Sequence, residues 1–382
     1  ARARGASFRA PPATTQRHSL YSSPGGSDLL FSRPRAWRSD GGARTMAVYS
    51  VLLVLAAAAR ASRVASPTIH VAVGPPVAGL LPVAPNFVGF SLEIYNIEAM
   101  IGRSDDPPRQ SYAQLLRNLH SLSAGPHAGP TLRLGGNSAE ETCFVAAGAT
   151  LPNSTHCVQK VTPADLGAYR RFATIAPNIS YVIDTNLMQG DPAVGAAHIA
   201  ALGAAGLWPH IQAIEVGNEC DHWPADVQMK FADYESRFAA FVDAYTAAGM
   251  PLKMIQGATF CCLNPAYLLG LRSYAEHFAP LLKTVSYHRY AASHCASPNL
   301  TAGALLERSA SADQAAIMGG IVKEIAPIPL WGGEVNSCSC GGCPNVSDTF
   351  ASTLWVLDFL SELSKAGVQG VNFHGGPTVR PR

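Results

Sequence analysis

The sequence predicts a (β/α)₈ barrel. Three observations carry the prediction. Short apolar runs alternate with amphipathic stretches at helical spacing, eight of the former with a helix in each gap. Polar side chains gather at the C-terminal ends of those runs, which is where a barrel keeps its chemistry. The chain of 382 residues is long enough for one barrel of about 250 residues with additions.

Taken in order, Thr68–Val73 alternates as a short strand and leads into a Pro/Gly-rich stretch ending at Pro85. The first barrel strand is Phe87–Tyr95, followed by a helix over Tyr112–Leu122. The second strand, Thr131–Leu134, runs into Gly135-Gly136-Asn137-Ser138, and a loop with Cys143 and Cys157 precedes a helix around Asp165–Ile175. Strand three is Ser180–Leu187 and its helix is Ala193–Ala205. Strand four, Ile211–Glu215, ends in Gly217-Asn218-Glu219. Its helix is placed over Asp226–Ala248, because Phe231, Tyr234, Phe238, Phe241, Val242 and Tyr245 recur at helical spacing. Leu252–Phe260 is strand five and Ala266–Phe278 its helix; Thr284–Tyr290 is strand six, with a helix within Ala302–Ile325. Strand seven is Ile328–Val335, helix seven is Thr349–Lys365 with Gly367 as its C-cap, and strand eight is Val368–His374. No eighth helix follows, so the barrel is expected to be C-terminally truncated.

Composition narrows the function classes. Charged residues make up 14% and hydrophobic ones 48%, so a large core can be buried. The formal net charge of +2 hides an asymmetry: residues 1–66 carry ten Arg against Asp28 and Asp40. Removing those ten from 28 basic residues and those two from 26 acidic ones leaves 18 against 24, a net of −6. A nucleic-acid binder, or a protein gripping long sulfated polymers, needs the opposite sign. The segment 1–45 reads as a non-native or transit-like leader. Met46–Ala59 is an apolar run too short for a comfortable membrane span, and small residues follow it, so 46–66 reads as a signal peptide. Secretion, or delivery to a vacuolar or lysosomal compartment, is the expectation. It agrees with the sequons at Asn153, Asn178, Asn299 and Asn345, which are expected glycosylation sites, and with nine cysteines, an odd number that leaves at least one outside intrachain disulfides.

The strand tips hold the candidate chemistry. Glu93 ends strand one, Asn137 follows strand two, and Asp184 and Asn186 end strand three. Asn218 and Glu219 end strand four, His288 and Tyr290 strand six, Glu334 and Asn336 strand seven, and Asn372 and His374 strand eight. Two carboxyl groups on strand tips of one barrel are the minimum equipment for cleaving a glycosidic bond: one protonates the leaving oxygen and the other, ionised, attacks the anomeric carbon. Asn218 is placed to meet a sugar 2-hydroxyl. His288 and Tyr290, two apart on a strand, share a face and are expected to orient Glu334 and keep it ionised. Asp184 is expected to bond nearby backbone or pair with Arg133. Trp223 is a candidate sugar platform, and Trp331 and Phe373 are expected in the core.

Gly217-Asn218-Glu219 and Gly333-Glu334-Val335-Asn336-Ser337 resemble the strand-four and strand-seven motifs of the retaining glycosidases of clan A. The stretches Arg133-Leu134-Gly135-Gly136-Asn137-Ser138, Tyr287-His288-Arg289-Tyr290 and Asn372-Phe373-His374-Gly375-Gly376 narrow the resemblance to glycoside hydrolase family 79, the β-glucuronidase and heparanase family, over roughly residues 68–376. The resemblance implies that Glu219 is the proton donor and later base, that Glu334 is the nucleophile, and that Asn218, His288, Tyr290 and Asn336 support them. It implies that Glu93 and Asn137 contact sugar hydroxyls. The forms of the motifs are closer to microbial-type β-glucuronidases than to animal heparanase. Backbone amides near Gly375-Gly376 are the candidate reader of a uronate carboxylate. Family members carry a C-terminal β-sandwich that takes one N-terminal strand. The segment 67–85 corresponds to that strand, 86–382 to an incomplete catalytic barrel, and the sandwich itself has no counterpart here. The implied function is a retaining exo-β-glucuronidase acting on a β-glucuronide-containing glycan, with no nucleic-acid partner and no stable membrane span. No cofactor and no metal are implied. The alternatives are another clan A β-glycosidase, an endo-acting heparanase-like enzyme, or a non-catalytic glycan-binding fragment.

Cys338-Ser339-Cys340-Gly341-Gly342-Cys343 has irregular ligand spacing for zinc, and disulfides are expected there. Cys143 and Cys157 are a candidate pair. Adjacent Cys261 and Cys262 are expected to bond different partners.

Overall fold

The structure, a computed structural model, describes residues 83–102, 107–122, 129–296 and 299–376. The Arg-rich leader, the apolar run Met46–Ala59 and the expected strand Thr68–Val73 lie outside the described residues. Within them, no helix is long and apolar enough to cross a membrane.

The strands are β1 (Val88–Glu93), β2 (Thr131–Gly135), β3 (Thr142–Phe144), β4 (Gln159–Val161), β5 (Ser180–Thr185), β6 (Ile211–Val216), β7 (Ile255–Phe260), β8 (Leu282–Tyr287), β9 (Arg289–Ser293), β10 (Leu330–Ser339) and β11 (Gly370–His374). The α-helices are α1 (Ile97–Ile101), α2 (Gln110–Ser121), α3 (Pro163–Ile175), α4 (Pro192–Ala204), α5 (Phe231–Ala247), α6 (Pro265–Phe278), α7 (Ala312–Ile325) and α8 (Phe350–Lys365). Eight strands close a parallel barrel in the order β1-β2-β5-β6-β7-β8-β10-β11. Closure comes from β11 lying parallel to β1, with Val88 opposite Val371 and Ser91 opposite His374. At least one helix lies between each successive pair of barrel strands, so this is the (β/α)₈ fold expected from the alternation. β3 and β4 form a small separate ribbon.

Local chemistry starts the helices where the pattern places them. Thr162 and Asp165 form a capping box at α3, and Asp191 and Asn264 accept the N–H groups of Ala193 and Ala266 at α4 and α6. Each of the three has proline in its first turn, where the missing N–H costs nothing. α5 begins at Phe231, five residues later than expected. The chain before it is a turn, with the N–H groups of Val227 and Gln228 both bonded to Pro224 O.

Packing explains the aromatic spacing on α5. Tyr234, Phe238, Phe241 and Tyr245 are fully buried between the barrel and its helical ring, and Phe238 meets Phe278 of α6 at 4.9 Å between ring centres. Burying each such ring contributes roughly 1.5–3 kcal/mol. This layer holds β6 and β7 in place and so sets the rim that carries Glu219.

One strand differs from expectation. Thr284–Tyr290 is not continuous: β8 ends at Tyr287, His288 gives its N–H to Phe260 O at 2.7 Å, and β9 then pairs with an extended β10 above the barrel rim. The ten-residue β10 therefore serves two tasks. Its first half closes the barrel, and its second half walls the cleft above it.

Candidate active site

Glu219 stands on a sharp turn beyond β6. Gly217 has φ +83°, and Glu219 itself is left-handed at φ 50°, ψ 44°. That conformation is uncommon for a residue with a side chain and persists only where the surroundings impose it. Here the Glu219 N–H is bonded to Thr259 O at 2.9 Å, which draws the turn toward β7. The next acid, Asp221, is buried and accepts the N–H groups of Cys261 and Cys262 at 3.1 and 3.0 Å. The turn is thus fastened to its neighbour by one backbone bond and by the Asp221 carboxylate.

Glu334 lies within β10, on the other side of the mouth. Its Oε1 accepts the Tyr290 hydroxyl at 2.7 Å and its Oε2 accepts Arg133 Nη1 at 2.7 Å. His374 Nδ1 is 3.4 Å from the same Oε2. One carboxylate oxygen each of Glu219 and Glu334 and a ring nitrogen of His288 all lie within 4.8 Å of one another.

The two carboxyls sit in opposite electrostatic surroundings. Burial and the neighbouring Glu334 charge push Glu219 up to about 8. Burial acts on Glu334 in the same sense, but His374, His288, Arg133 and the Tyr290 hydroxyl bond more than reverse it and hold this carboxyl well below the usual range. His288 is itself pushed down to about 4 by burial and by Arg133, so at neutral pH it is an uncharged hydrogen-bond partner. The permanent cation beside Glu334 is Arg133. At neutral pH the pair therefore holds one proton, on Glu219, which is the division of labour that acid and nucleophile require.

Beneath the pair is a buried network. Arg133 is fully buried on β2; its Nε donates to Glu215 Oε1 at 2.7 Å, Nη1 to Ser91 Oγ at 3.0 Å, and Nη2 to Asn218 Oδ1 at 2.7 Å. Glu215 also accepts Gln256 Nε2. One guanidinium thus ties Glu334 on β10 to the turn beyond β6. Asp184 faces the Arg133 guanidinium at 3.6 Å.

The structure brings six more of the expected residues together in one cleft of about 870 Å³, a size suited to a small-molecule site, while Asp184, Asn186, Asn218 and Asn372 are buried and do not line it. Glu93, Asn137, His288, Tyr290, Asn336 and His374 line it with the two catalytic candidates. Glu93 Oε2 accepts the N–H and hydroxyl of Ser138. Gly136 permits this approach: it has φ +82°, and a Cβ there would lie 2.7 Å from the Glu93 carboxyl carbon. Asn336 gives Nδ2 to His374 O and accepts the Ser337 N–H, so it ties β10 to β11.

Several expectations are corrected. For His288 the correction is partial: its hydrogen bond goes to Glu219, at 2.8 Å, and Glu334 is 4.0 Å away. Asn218 is buried, with its amide nitrogen donating to Asn137 Oδ1 at 2.9 Å, and Asn137 is the exposed member of that pair. A sugar hydroxyl would have to displace Asn137 to reach Asn218. Trp223 is buried with its indole N–H on Asn218 O, beneath the turn and not on the cleft surface. The Gly375 N–H is bonded to Ser91 O at 3.0 Å and is committed to the sheet. Cys261 and Cys262 bond each other, because both lie in the short bend at the tip of β7 whose N–H groups converge on Asp221. Cys143 pairs with Cys157, Cys338 with Cys343 and Cys295 with Cys340, which leaves no thiol of the cysteine cluster to bind zinc; Cys220 is free and buried.

Reading the sequence placed Arg133 near the site without giving it a role, and left Glu140, Glu215 and Gln256 unassigned. The available signal was ionisable or amide side chains inside runs that are otherwise apolar, a costly placement unless they are paired.

No family model matches the chain, and no curated protein matches its sequence. Solved structures share its fold. A 4-O-α-L-rhamnosyl-β-D-glucuronidase from Fusarium oxysporum superimposes with a TM-score of 0.65 at 21% identity, covering 79% of this chain and 65% of its own. A family 51 arabinofuranosidase from Xanthomonas axonopodis pv. citri does so with a TM-score of 0.53 at 12% identity, covering 78% of this chain and 68% of its own. The chain thus spans about two thirds of the length of each.

Proposed function

We propose that this chain is a retaining glycosidase, and specifically an exo-acting β-glucuronidase. The observation that carries the reading is the close pair of carboxyls with opposite environments. Oxygens within 4.8 Å suit the narrow spacing of retaining enzymes, about 5–5.5 Å between carboxyl groups, and leave little room for the water that an inverting enzyme places there.

On this reading the steps are these. Glu334, ionised, attacks the anomeric carbon while Glu219 gives its proton to the glycosidic oxygen, and the aglycone leaves as an alcohol. The sugar is then an ester of Glu334. Glu219, now a carboxylate, takes a proton from water as that water attacks the anomeric carbon from the face the aglycone left. The ester bond breaks, the sugar departs with its original configuration, and both carboxyls return to their starting states. Arg133 and Tyr290 hold the attacking oxygens in place, and neutral His288 orients Glu219.

The glucuronide assignment rests on the motif resemblance and on the shared fold with a protein whose name includes that activity. We further propose passage through the secretory pathway, supported by the disulfides and by the exposure of Asn153, Asn178, Asn299 and Asn345. A panel of aryl glycosides tests the substrate. Hydrolysis of the β-glucuronide is expected, with the β-anomer as first product by NMR. Turnover of β-glucoside alone would replace the substrate assignment, an α-anomer as first product would refute retention, and glycan binding without turnover would favour a non-catalytic role.

A further inference from the structure

We propose that Glu140 is a positioning residue for the proton donor, its buried carboxylate stapling two neighbouring strand tips and so setting the direction from which Glu219 reaches the leaving group. The inference rests on the glycosidase reading above.

Glu140 lies in the short turn Asn137–Glu141 after β2 and is 4% exposed. It does not line the cleft and touches none of the reacting atoms. Its Oε1 accepts the Asn218 N–H at 2.6 Å, and its Oε2 accepts the Met188 N–H at 2.8 Å. One side chain from beyond β2 thus grips the turns that follow β5 and β6. Burial pushes this carboxyl up to about 7, with the Glu215 charge acting in the same sense, against the pull of the backbone N–H groups of Asn218, Met188 and Leu187. A buried acid is costly to keep, and here one of its hydrogen bonds holds the residue before the proton donor and the other holds the neighbouring turn.

The backbone is shaped to admit it. At Gly217, φ is +83°, and a Cβ would stand 2.7 Å from Leu187 Cβ and 3.1 Å from Glu140 Oε1. The chain passes close over the carboxylate, presents the Asn218 N–H to it, and then turns left-handed at Glu219. With its N–H held from below, Asn218 keeps its side chain between Arg133 and Asn137. Glu140 thereby fixes the near end of the turn, and the Thr259 carbonyl fixes the far end.

The test compares the wild-type chain with Glu140→Gln and Glu140→Asp by two readouts. In hydrogen exchange, peptides covering residues 186–190 and 216–220 are expected to exchange faster in the variants, with β1 and β11 unchanged. Unchanged exchange in both peptides would overturn the staple. In kinetics, kcat/KM is measured for a phenyl β-glucuronide, whose leaving group needs a proton, and a 2,4-dinitrophenyl β-glucuronide, whose leaving group does not. General acid catalysis is worth on the order of 10²–10⁴-fold, so the variants are expected to lose at least about tenfold more on the phenyl substrate. Equal losses on both would reduce Glu140 to a structural residue and overturn the proposal. Should Glu140→Gln fail to fold, Glu140→Asp, which keeps the charge and gives up reach, carries both readouts. If the wild-type chain hydrolyses no glycoside at all, it is the glycosidase reading that fails, and the exchange result alone decides whether Glu140 staples the turns.

Discussion

Glu219 and Glu334 share one cleft, yet the regions that hold them are built by different means. Glu219 rides on a turn fastened by backbone bonds to Thr259 O and the Glu140 carboxylate, with His288 as its polar side-chain partner. Glu334 is part of a long strand, and side chains from three other strands meet its carboxylate: Arg133 from β2, Tyr290 from β9 and His374 from β11. The turn supplies position, whereas the groups that meet at the strand include the permanent charge of Arg133. The shared proton therefore rests on Glu219. Moving a proton to one member of a close pair requires only that the other be better supported in its ionised form, here by Arg133 and the Tyr290 hydroxyl.

The largest break of that asymmetry is removal of either carboxyl. Glu334→Gly and Glu219→Gly are each expected to lower turnover of an unactivated β-glucuronide by on the order of 10³-fold or more, as for groups acting as one unit. Azide then separates the two regions. With an activated aryl glycoside, Glu334→Gly should yield the α-glycosyl azide, and Glu219→Gly the β-glycosyl azide through an intact glycosyl-enzyme. NMR of the product reads the anomer, and the same anomer from both variants would contradict the division of roles.

A smaller break weakens only the charged region. Tyr290→Phe removes one bond to an ionised carboxylate, worth about 1.5–3 kcal/mol, or roughly ten- to a hundredfold in kcat/KM. Because that bond helps hold Glu334 below the usual range, the acid limb of the kcat/KM profile is expected to move upward. An unmoved acid limb would mean that the hydroxyl does not support the ionised form.

The wild-type pH profile sharpens the comparison without any mutation. Catalysis needs Glu219 protonated, so kcat/KM is expected to fall as pH rises through about 8. Glu334 must be ionised, and its depressed carboxyl puts the acid limb below the ordinary glutamate value of about 4.3. The same shifts act on stability with opposite signs. Glu219, raised in the folded state from 4.5 to about 8, contributes stability that is full below 4.5 and lost as pH rises through about 8. Glu334 contributes stability above its unfolded value that is lost as pH falls below it. Thermal melts across that range check both directions.

The mildest test concerns the outer surface, remote in role from both carboxyls. Expressed in a eukaryotic secretory host, the chain is expected to gain electrophoretic mobility when N-glycans are removed enzymatically. A chain without glycans would remove that support for the secretory proposal.

Much of this was legible in sequence, and the pattern of successes is physical. The apolar runs at Thr131, Ser180 and Ile211 mark strands because a strand buried on both faces must be apolar over its length, and α5 is marked by aromatics at helical spacing. Glu219 and Glu334 stand out as acids at the ends of such runs. The break at His288 was hidden, because Thr284–Tyr290 has strand-like composition throughout and only the pairing of β9 with β10 beyond the rim shows where the ladder changes. Cys261–Cys262 was hidden because connectivity depends on how one bend folds around Asp221.

By itself the sequence determined the alternation of elements, the barrel that follows from it, and the acids at its strand tips. These are properties of short windows, set by burial period and turn chemistry, and neighbouring residues suffice to express them. Only the tertiary structure supplied the environments that set the two carboxyls apart. They depend on Arg133 reaching across the barrel to Glu334, on His288 turning to Glu219, and on Glu140 gripping the turn beyond β6. Each is a contact between residues tens to hundreds of positions apart, and closing the barrel is what brings them within a hydrogen bond of one another.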